Sequence, residues 1–366
     1  MTLDELRAGL TALDTRILEL IAERQRLSEQ VAQVKRATGR ATRDFARERE
    51  VILRAREQAE RLKFAPALAE SVLRQLIDSS LATQEQAGVV ASGIGSGKRA
   101  LIIGGSGKMG GWFAEFLASQ GFEVTLADPT PSSHGFSRIP RWEDDRLDQD
   151  VIVLATPLGI TAQVLKDLAD RAPPGLIFDL GSLKTPLRNG LAALRAAGCR
   201  VSSLHPMFGP DTTLLSGRHV IFIDLGHEQA LRDAQELFGP TMAERVVMSL
   251  DEHDRLIAYV LGLSHAVNIA FFTALAQSGE AAPRLARMSS TTFDSQLEVA
   301  ACVAGESPEL YYEIQSLNEY GAESLEALRH SVEQLVGTVR ARDEGGFTAL
   351  MRQGRTYLQG RTTVKG

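Results

Sequence analysis

Apolar residues recur at steps of three and four from the start of the chain. Leu3, Leu6, Leu10, Leu13, Ile17, Leu20, Leu27, Val31 and Val34 form one stripe with a single interruption. The spacing predicts an amphipathic helix over about 2–37, closed by Thr38-Gly39, then helices over 44–62 and from Pro66 to about Gln86. At 1.5 Å per residue the first would span roughly 54 Å, more than its own three-helix domain can cover, so a second chain is the natural cover. The interruption is Arg24. Lys35 follows eleven residues on, about 20° round the helix, so both cations share a face. Asp44, Arg47 and Glu48 share a face of the second helix at i, i+3 and i+4. Buried cations are costly unless anions meet them, and this pattern calls for an anionic guest.

The pattern changes near residue 99. Ala100-Leu101-Ile102-Ile103 is a continuous apolar run, as in a buried parallel strand, and feeds Gly105-Ser106-Gly107-Lys108-Met109-Gly110. A helix from about Lys108 to Gln120 follows, then a second strand over Phe122–Asp128. A strand, a Gly-x-Gly-x-x-Gly turn, a helix and an acid eighteen residues beyond Gly110 together predict a dinucleotide site. Asp128 should accept ribose hydroxyls and repel a 2′-phosphate, favouring NAD over NADP. Asp150–Pro157 reads as a third strand whose loop places Thr156 and Pro157 over the nicotinamide side, and Leu176–Leu180 as a fourth. Val201–Leu204 leads into His205, at the strand end where ligand crevices form. From Asp251 the pattern is helical, over 252–278, 283–304, 308–341 and 344–358. The expected fold is multidomain: an all-α three-helix domain over 1–88, a flexible Gly-rich linker over 89–98, a Rossmann-type α/β domain over 99–250 and an all-α domain over 251–366.

Composition adds exclusions. The 44% hydrophobic and 23% charged content is that of a globular protein, and a net charge of −6 disfavours nucleic acid. Two distant cysteines, Cys199 and Cys302, form neither a disulfide framework nor metal-ligand spacing, so a reducing compartment and no metal are expected. No signal-type n-region and h-region stands out, and no apolar run approaches the roughly 20 residues of a membrane span, so the expectation is cytoplasmic with no membrane partner.

The first ninety residues resemble the all-helical chorismate mutase family, through Leu6-Arg7, Leu13-Asp14, Ala22-Glu23-Arg24, Lys35, Arg43-Asp44, Arg47-Glu48-Arg49, Asp78-Ser79-Ser80 and Thr83-Gln84. The resemblance implies that Arg24, and Arg7 from a partner chain, hold the two carboxylates of chorismate. It gives Lys35 and Gln84 to the ether oxygen, Asp44 and Glu48 to the ring hydroxyl, and Arg47 and Ser80 to the support of the pocket. Arg7 lies seventeen residues before Arg24, about 100° off its face, which suits a residue lent to a partner. The rearrangement needs no base, nucleophile or cofactor. It needs a folded dianion and stabilised charge on the ether oxygen.

Residues 99–360 resemble the prephenate dehydrogenase family, through Gly105–Gly110, Asp179-x-x-Ser182-x-Lys184 and Leu204-His205-Pro206-Met207-Phe208-Gly209-Pro210. The resemblance implies that His205 takes the ring-hydroxyl proton as hydride passes to NAD and carbon dioxide leaves. It makes Ser182 orient that hydroxyl, His265 a substrate contact, and the C-terminal helices a dimer interface. One departure stands out. Six residues before Pro308 the family has an arginine for the ring carboxylate, and here Cys302 stands. Arg255 or Arg287 could replace it. The expected protein is a homodimeric, bifunctional enzyme of tyrosine biosynthesis, taking chorismate to prephenate and prephenate to 4-hydroxyphenylpyruvate. The alternative is a dehydrogenase for arogenate or an amino-substituted prephenate, with the helical front serving dimerisation or regulation.

Overall fold

The first helix begins with a capping box. The Thr2 hydroxyl accepts the Glu5 amide at 3.2 Å, and the Glu5 carboxylate accepts the Thr2 amide at 2.7 Å. From there α1 (Leu3–Ala37) runs unbroken, with Asp4 and Glu5 in its first turn and Lys35 and Arg36 in its last, each suited to the helix dipole. The structure is a computed structural model and describes residues 1–131 and 135–360. Asp44 caps α2 (Phe45–Arg61), and Pro66 opens α3 (Pro66–Ala91). Only Ala32 of α1 is buried, and its stripe is open: Leu10 is 61% exposed and Ile17 53%.

The linker expectation is corrected at this point. Helix α3 continues to Ala91, and Val89 is buried in the core of the sheet that follows. Gly93 and Gly95 are small for close approach. A Cβ on Gly93 would lie 2.4 Å from the Gln120 carbonyl oxygen, and the Gly95 amide donates to that oxygen at 3.0 Å. Val89 and residues 93–95 are therefore packed, while 96–98 are exposed. Glu85 adds a polar lock, its buried carboxylate accepting the Leu215 amide at 2.7 Å and the Met242 amide as well.

The α/β part comprises β1 (Arg99–Ile103), α4 (Lys108–Ser119), β2 (Glu123–Ala127), β3 (Ser137–Ile139), β4 (Val151–Leu154), α5 (Leu158–Arg171), β5 (Leu176–Asp179), α6 (Arg188–Ala196), β6 (Arg200–Pro206), β7 (His219–Ile223), α7 (Glu228–Leu237) and β8 (Glu244–Met248). The sheet order is β3-β2-β1-β4-β5-β6-β7-β8, parallel except for the antiparallel β6–β7 pair. Strands β1, β4 and β5 are buried through almost their whole length, as strands covered by helices on both faces must be. Phe113, Leu117, Phe178, Phe222 and Phe238 fill the core between sheet and helices.

The chain divides into two compact units, Met1–Gly181 with Asn189–Met248, and Ser182–Arg188 with Ser249–Gly366. The second is helical: α8 (Leu250–Ile257), α9 (Ser264–Gln277), α10 (Ala282–Arg287), α11 (Thr291–Ala304), α12 (Pro308–Ser316), α13 (Gly321–Ala341) and α14 (Glu344–Gly360). A π-helical stretch, Ala258–Leu263, joins α8 to α9. The expected helices over 283–304 and 308–341 are each broken. Ser290 caps α11 by accepting the Phe293 amide, and the buried Asn318 accepts the Tyr320 amide between α12 and α13. The expectation of no long apolar stretch is also corrected: by length and composition alone, Leu250–Gln277 could cross a membrane. The expected 251–366 domain ends in six residues that lie outside the described ones.

Candidate active sites

Arg24 reaches from α1 onto α3. Its Nη1 donates to the Leu76 carbonyl and to the Ser80 hydroxyl, both at 2.9 Å. Its Nε and Nη2 make no hydrogen bond among the described residues, leaving one bidentate edge open. Burial pushes its pKa below the usual guanidinium value, though arginine stays charged. One helical turn on, Ser28 Oγ accepts from Gln84 Nε2 at 2.7 Å, while the buried Gln84 Oε1 meets no partner among the described residues. The Ser28 hydroxyl can give or take a bond, so the amide can turn over and present Nε2 where Oε1 now lies. Lys35 Nζ, half-buried at the end of α1, donates to the Thr42 carbonyl at 2.6 Å. Arg24, Ser28 and Lys35 project from α1, and Ser80 and Gln84 meet the first two from α3.

Other expected members sit differently. Asp44 is exposed and spends one oxygen capping α2, accepting the Arg47 amide at 3.0 Å. Arg47 is not turned inward with Glu48. It is exposed and bound to Glu50 at 2.6 Å, because Glu50 stands one turn on along the solvent side. Arg7 is exposed beside Asp4 at 3.8 Å, away from the cluster. Sequence reasoning assigned no role to Arg43, whose Nε and Nη2 grip both oxygens of Glu48 at 3.0 and 2.9 Å. A cavity of about 930 Å³ beside it is lined by Lys35, Arg43, Asp44 and apolar residues of α1.

In the α/β part the glycine turn explains itself atom by atom. Gly104 has φ of +87°, and a Cβ there would lie 2.6 Å from the Ala155 carbonyl oxygen. A Cβ on Gly110 would lie 2.3 Å from the Gly104 carbonyl oxygen, so α4 packs onto β1 only with glycine there. Gly105 is as tight, 2.7 Å from Leu126 Cδ2, whereas the nearest neighbour of Gly107 is 3.4 Å away. Gly107 caps α4, with Lys108 and Met109 in its first turn, so backbone amides and the helix dipole face an open approach suited to pyrophosphate. Asp128 follows β2 and accepts the Ser106 amide at 3.1 Å and the Thr130 amide at 2.9 Å. Thr156 and Pro157 open α5, with Thr156 Oγ1 2.8 Å from Thr161 Oγ1. These residues fit a dinucleotide. No cluster that could hold a metal occurs among the described residues.

His205 is 5% exposed and lies on β6 opposite Ile221. The last β5–β6 pair is Asp179 with Ser203, so His205 stands two residues beyond, on the same face, past the carboxyl end of β5. Asp179 is fully buried and accepts the Gly181 amide at 2.9 Å. In the loop that follows, Phe208 packs on Trp112 at 5.0 Å between ring centroids, and the Trp112 indole donates to the Thr212 carbonyl at 3.0 Å.

Within the helical unit, Ser182 is half-buried in a loop anchored by Asp254. That buried carboxylate accepts the Lys184 amide at 2.9 Å, the Thr185 amide at 2.6 Å, the Thr185 hydroxyl at 2.5 Å, and lies 2.6 Å from His253 Nδ1. Burial alone would push its pKa up. The bonds from His253, Thr185 and Lys184 outweigh that and hold it below the usual carboxylate range. His265 lies just after the π-helical stretch, its ring 4.1 Å from that of Tyr311. Its Nδ1 is buried without a partner among the described residues, and burial lowers its pKa. Burial raises the Tyr311 phenol, with Glu306 and Cys302 close enough to add to the shift. Arg255 stacks on Tyr320 at 5.2 Å, and Arg287 is exposed at the end of α10.

Comparison with known proteins follows the same division. Residues 6–85 match the type II chorismate mutase family, 135–247 the nucleotide-binding domain of prephenate dehydrogenase, and 249–353 its dimerization domain. A T-protein of Enterobacter agglomerans is 26% identical over 95% of this chain and 90% of its own length. A 4-amino-4-deoxyprephenate dehydrogenase of Streptomyces pristinaespiralis is 29% identical over 71% of this chain and 91% of its own. Prephenate dehydrogenase from A. aeolicus, solved with hydroxyphenyl propionate and NAD+, shares the fold with a TM-score of 0.57 at 19% identity, over 72% of this chain and 98% of that one. A type II chorismate mutase domain thus precedes the two domains of prephenate dehydrogenase, and the chain belongs to the bifunctional chorismate mutase/prephenate dehydrogenase family.

Proposed function

We propose that the side chains around Arg24 carry the rearrangement of chorismate, and that the His205 strand end carries the oxidative decarboxylation of prephenate to 4-hydroxyphenylpyruvate. The observation that supports the first is the open edge of Arg24. A half-buried guanidinium with Nε and Nη2 both available is a fork for one carboxylate. The reaction breaks and makes bonds within one molecule, so no group need take a proton. Lys35, whose ammonium has protons beyond the one given to Thr42, and Gln84 with its amide turned over, place donors where the ether oxygen gains charge. Ser80 holds Arg24 in place, and Glu48 addresses the ring hydroxyl. Arg47 is best withdrawn to the surface, and Asp44 reaches substrate only with the oxygen that does not cap α2. The partner's Arg7 grips the second carboxylate. The open stripe of α1 and the exposed apolar side of Leu250–Gln277 support a homodimer, with a second copy of the chain rather than a membrane as their cover. Two cysteines without disulfide spacing suit a cytoplasmic protein.

In the second reaction, Gly105, Gly107, Lys108, Met109 and Gly110 hold the NAD pyrophosphate, Asp128 the ribose, and Thr156 and Pro157 border the nicotinamide. When bound, NAD accepts the hydride that leaves the ring carbon. His205 takes the ring-hydroxyl proton as that hydride departs, and loss of carbon dioxide leaves an aromatic ring. Ser182 orients the hydroxyl from the loop that Asp254 fixes. His265, its pKa lowered by burial, meets substrate as a neutral hydrogen-bonding ring, so it does not replace the family's arginine. The Streptomyces relative favours one second reading, a substrate with an amino group in place of the ring hydroxyl. NAD reduction with chorismate, prephenate, arogenate or amino-substituted prephenate as sole substrate tests both. Reduction with chorismate and with prephenate supports the two-step enzyme. Reduction only with an amino substrate overturns it.

A further inference from the structure

The strand that carries His205 runs into a loop, residues 207–218, held from the helical segment at two points. Glu85 accepts the Leu215 amide, and Arg43 Nη1 donates to the Ser216 hydroxyl at 2.7 Å. Arg43 is the more informative of the two. Its Nε and Nη2 bind both oxygens of Glu48 at 3.0 and 2.9 Å, and its guanidinium carbon lies 4.6 Å from the Phe45 ring centre. The Arg43 and Glu48 side chains are only 24% and 21% exposed, so the pair is fixed and largely sheltered from solvent. Bidentate pairing sets the plane of the Glu48 carboxylate, and the third donor sets the plane of the guanidinium. Ser216 lies 173 residues from Arg43 in sequence, in the dehydrogenase part of the chain.

We propose that Arg43 and Ser216 are positioning residues for chorismate, acting through Glu48, so that a loop of the dehydrogenase completes the mutase site. The inference rests on assigning Glu48 to the ring hydroxyl. That hydroxyl keeps its bonds throughout the rearrangement, so Glu48 grips ground state and transition state alike. Loosening it raises KM and leaves kcat in place.

The test uses the full chain with Ser216→Ala, Ser216→Thr, Glu48→Gln and the double variant Ser216→Ala/Glu48→Gln, assayed for chorismate turnover and for NAD reduction from supplied prephenate. Loss of one hydrogen bond to a charged group, acting at one remove, should raise KM for chorismate about three- to tenfold in Ser216→Ala with kcat held. Ser216→Thr, which keeps the hydroxyl, should restore KM, and Ser216→Ala should add nothing in the Glu48→Gln background. An unchanged KM in Ser216→Ala beside an impaired Glu48→Gln overturns the relay. Parallel loss of kcat and of dehydrogenase activity in Ser216→Ala also overturns it, since that would be loosening of the loop itself. A fully active Glu48→Gln overturns the underlying assignment of Glu48 instead.

Discussion

Replacing Asp254 by asparagine should damage the dehydrogenase and spare the mutase. Between them the two oxygens of Asp254 accept the Lys184 and Thr185 amides and the Thr185 hydroxyl, and one faces His253. Asparagine keeps one acceptor and puts an NH2 in place of the other. The Thr185 hydroxyl can turn round to accept, but a backbone amide cannot. The Lys184 amide reaches both oxygens and can keep a bond to the one that remains, so the cost is the loss of charge from every bond and of one acceptor position, and the helical unit should lose roughly 1–3 kcal/mol. The pH dependence has a definite sign. Because the folded pKa is depressed, the carboxylate stabilises the fold above the unfolded value of about 3.9. That contribution fades as pH falls through the folded value. The gap in thermal stability between parent and variant should therefore be widest near neutrality and narrow in acid. Calorimetry across pH measures the gap, and NAD reduction from supplied prephenate measures the consequence for the loop that carries Ser182. A variant as stable as the parent at neutral pH, or one whose deficit does not narrow in acid, would refute the reasoning.

Arg24→Ala removes two charge-assisted bonds to a carboxylate, worth about 1.5–3 kcal/mol each. Mutase kcat/KM should fall by roughly 10²–10⁴ while supplied prephenate still reduces NAD, and equal loss of both activities would point to one shared site. His205→Asn should lower dehydrogenase kcat by about 10²–10⁴, the usual yield of a general base, with chorismate turnover intact. Gly110→Ala puts a methyl group 2.3 Å from the Gly104 carbonyl oxygen and should abolish NAD binding, read from quenching of the nearby Trp112, without touching the mutase.

Much of this architecture was legible because its signals are local and periodic. The stripe of α1 and the four-residue apolar strands announce themselves within a dozen residues. The acid after β2 needs only a count from the glycine turn. The failures are of other kinds. Glycines at 93 and 95 have the composition of a linker, and only the opposing turn at Gln120 reveals that they serve close packing. The break before α11 had a local signal, Ser290 three residues ahead of Phe293, that the helical periodicity overrode. The π-helical stretch has no local signal. Its Gly262 carbonyl is met by Gln315 Nε2 at 2.8 Å, from a helix fifty-three residues away in sequence. Arg47 and Arg43 traded places for a similar reason. Helical geometry put Arg47 beside Glu48 on a wheel, but Glu50 on one side and Ser216 on the other decided which arginine stayed.

Glu85 has a consequence for how the chain comes to be made. Its carboxylate is satisfied by amides at Leu215 and Met242, the latter 157 residues downstream. At synthesis rates of about 5–20 residues per second, the last turns of α3 leave the ribosome roughly 8–30 s before their partner exists. In that interval a helix end destined for burial stands uncovered, with Val89 and an ionised carboxylate facing water. The first domain to emerge is therefore among the last to be finished.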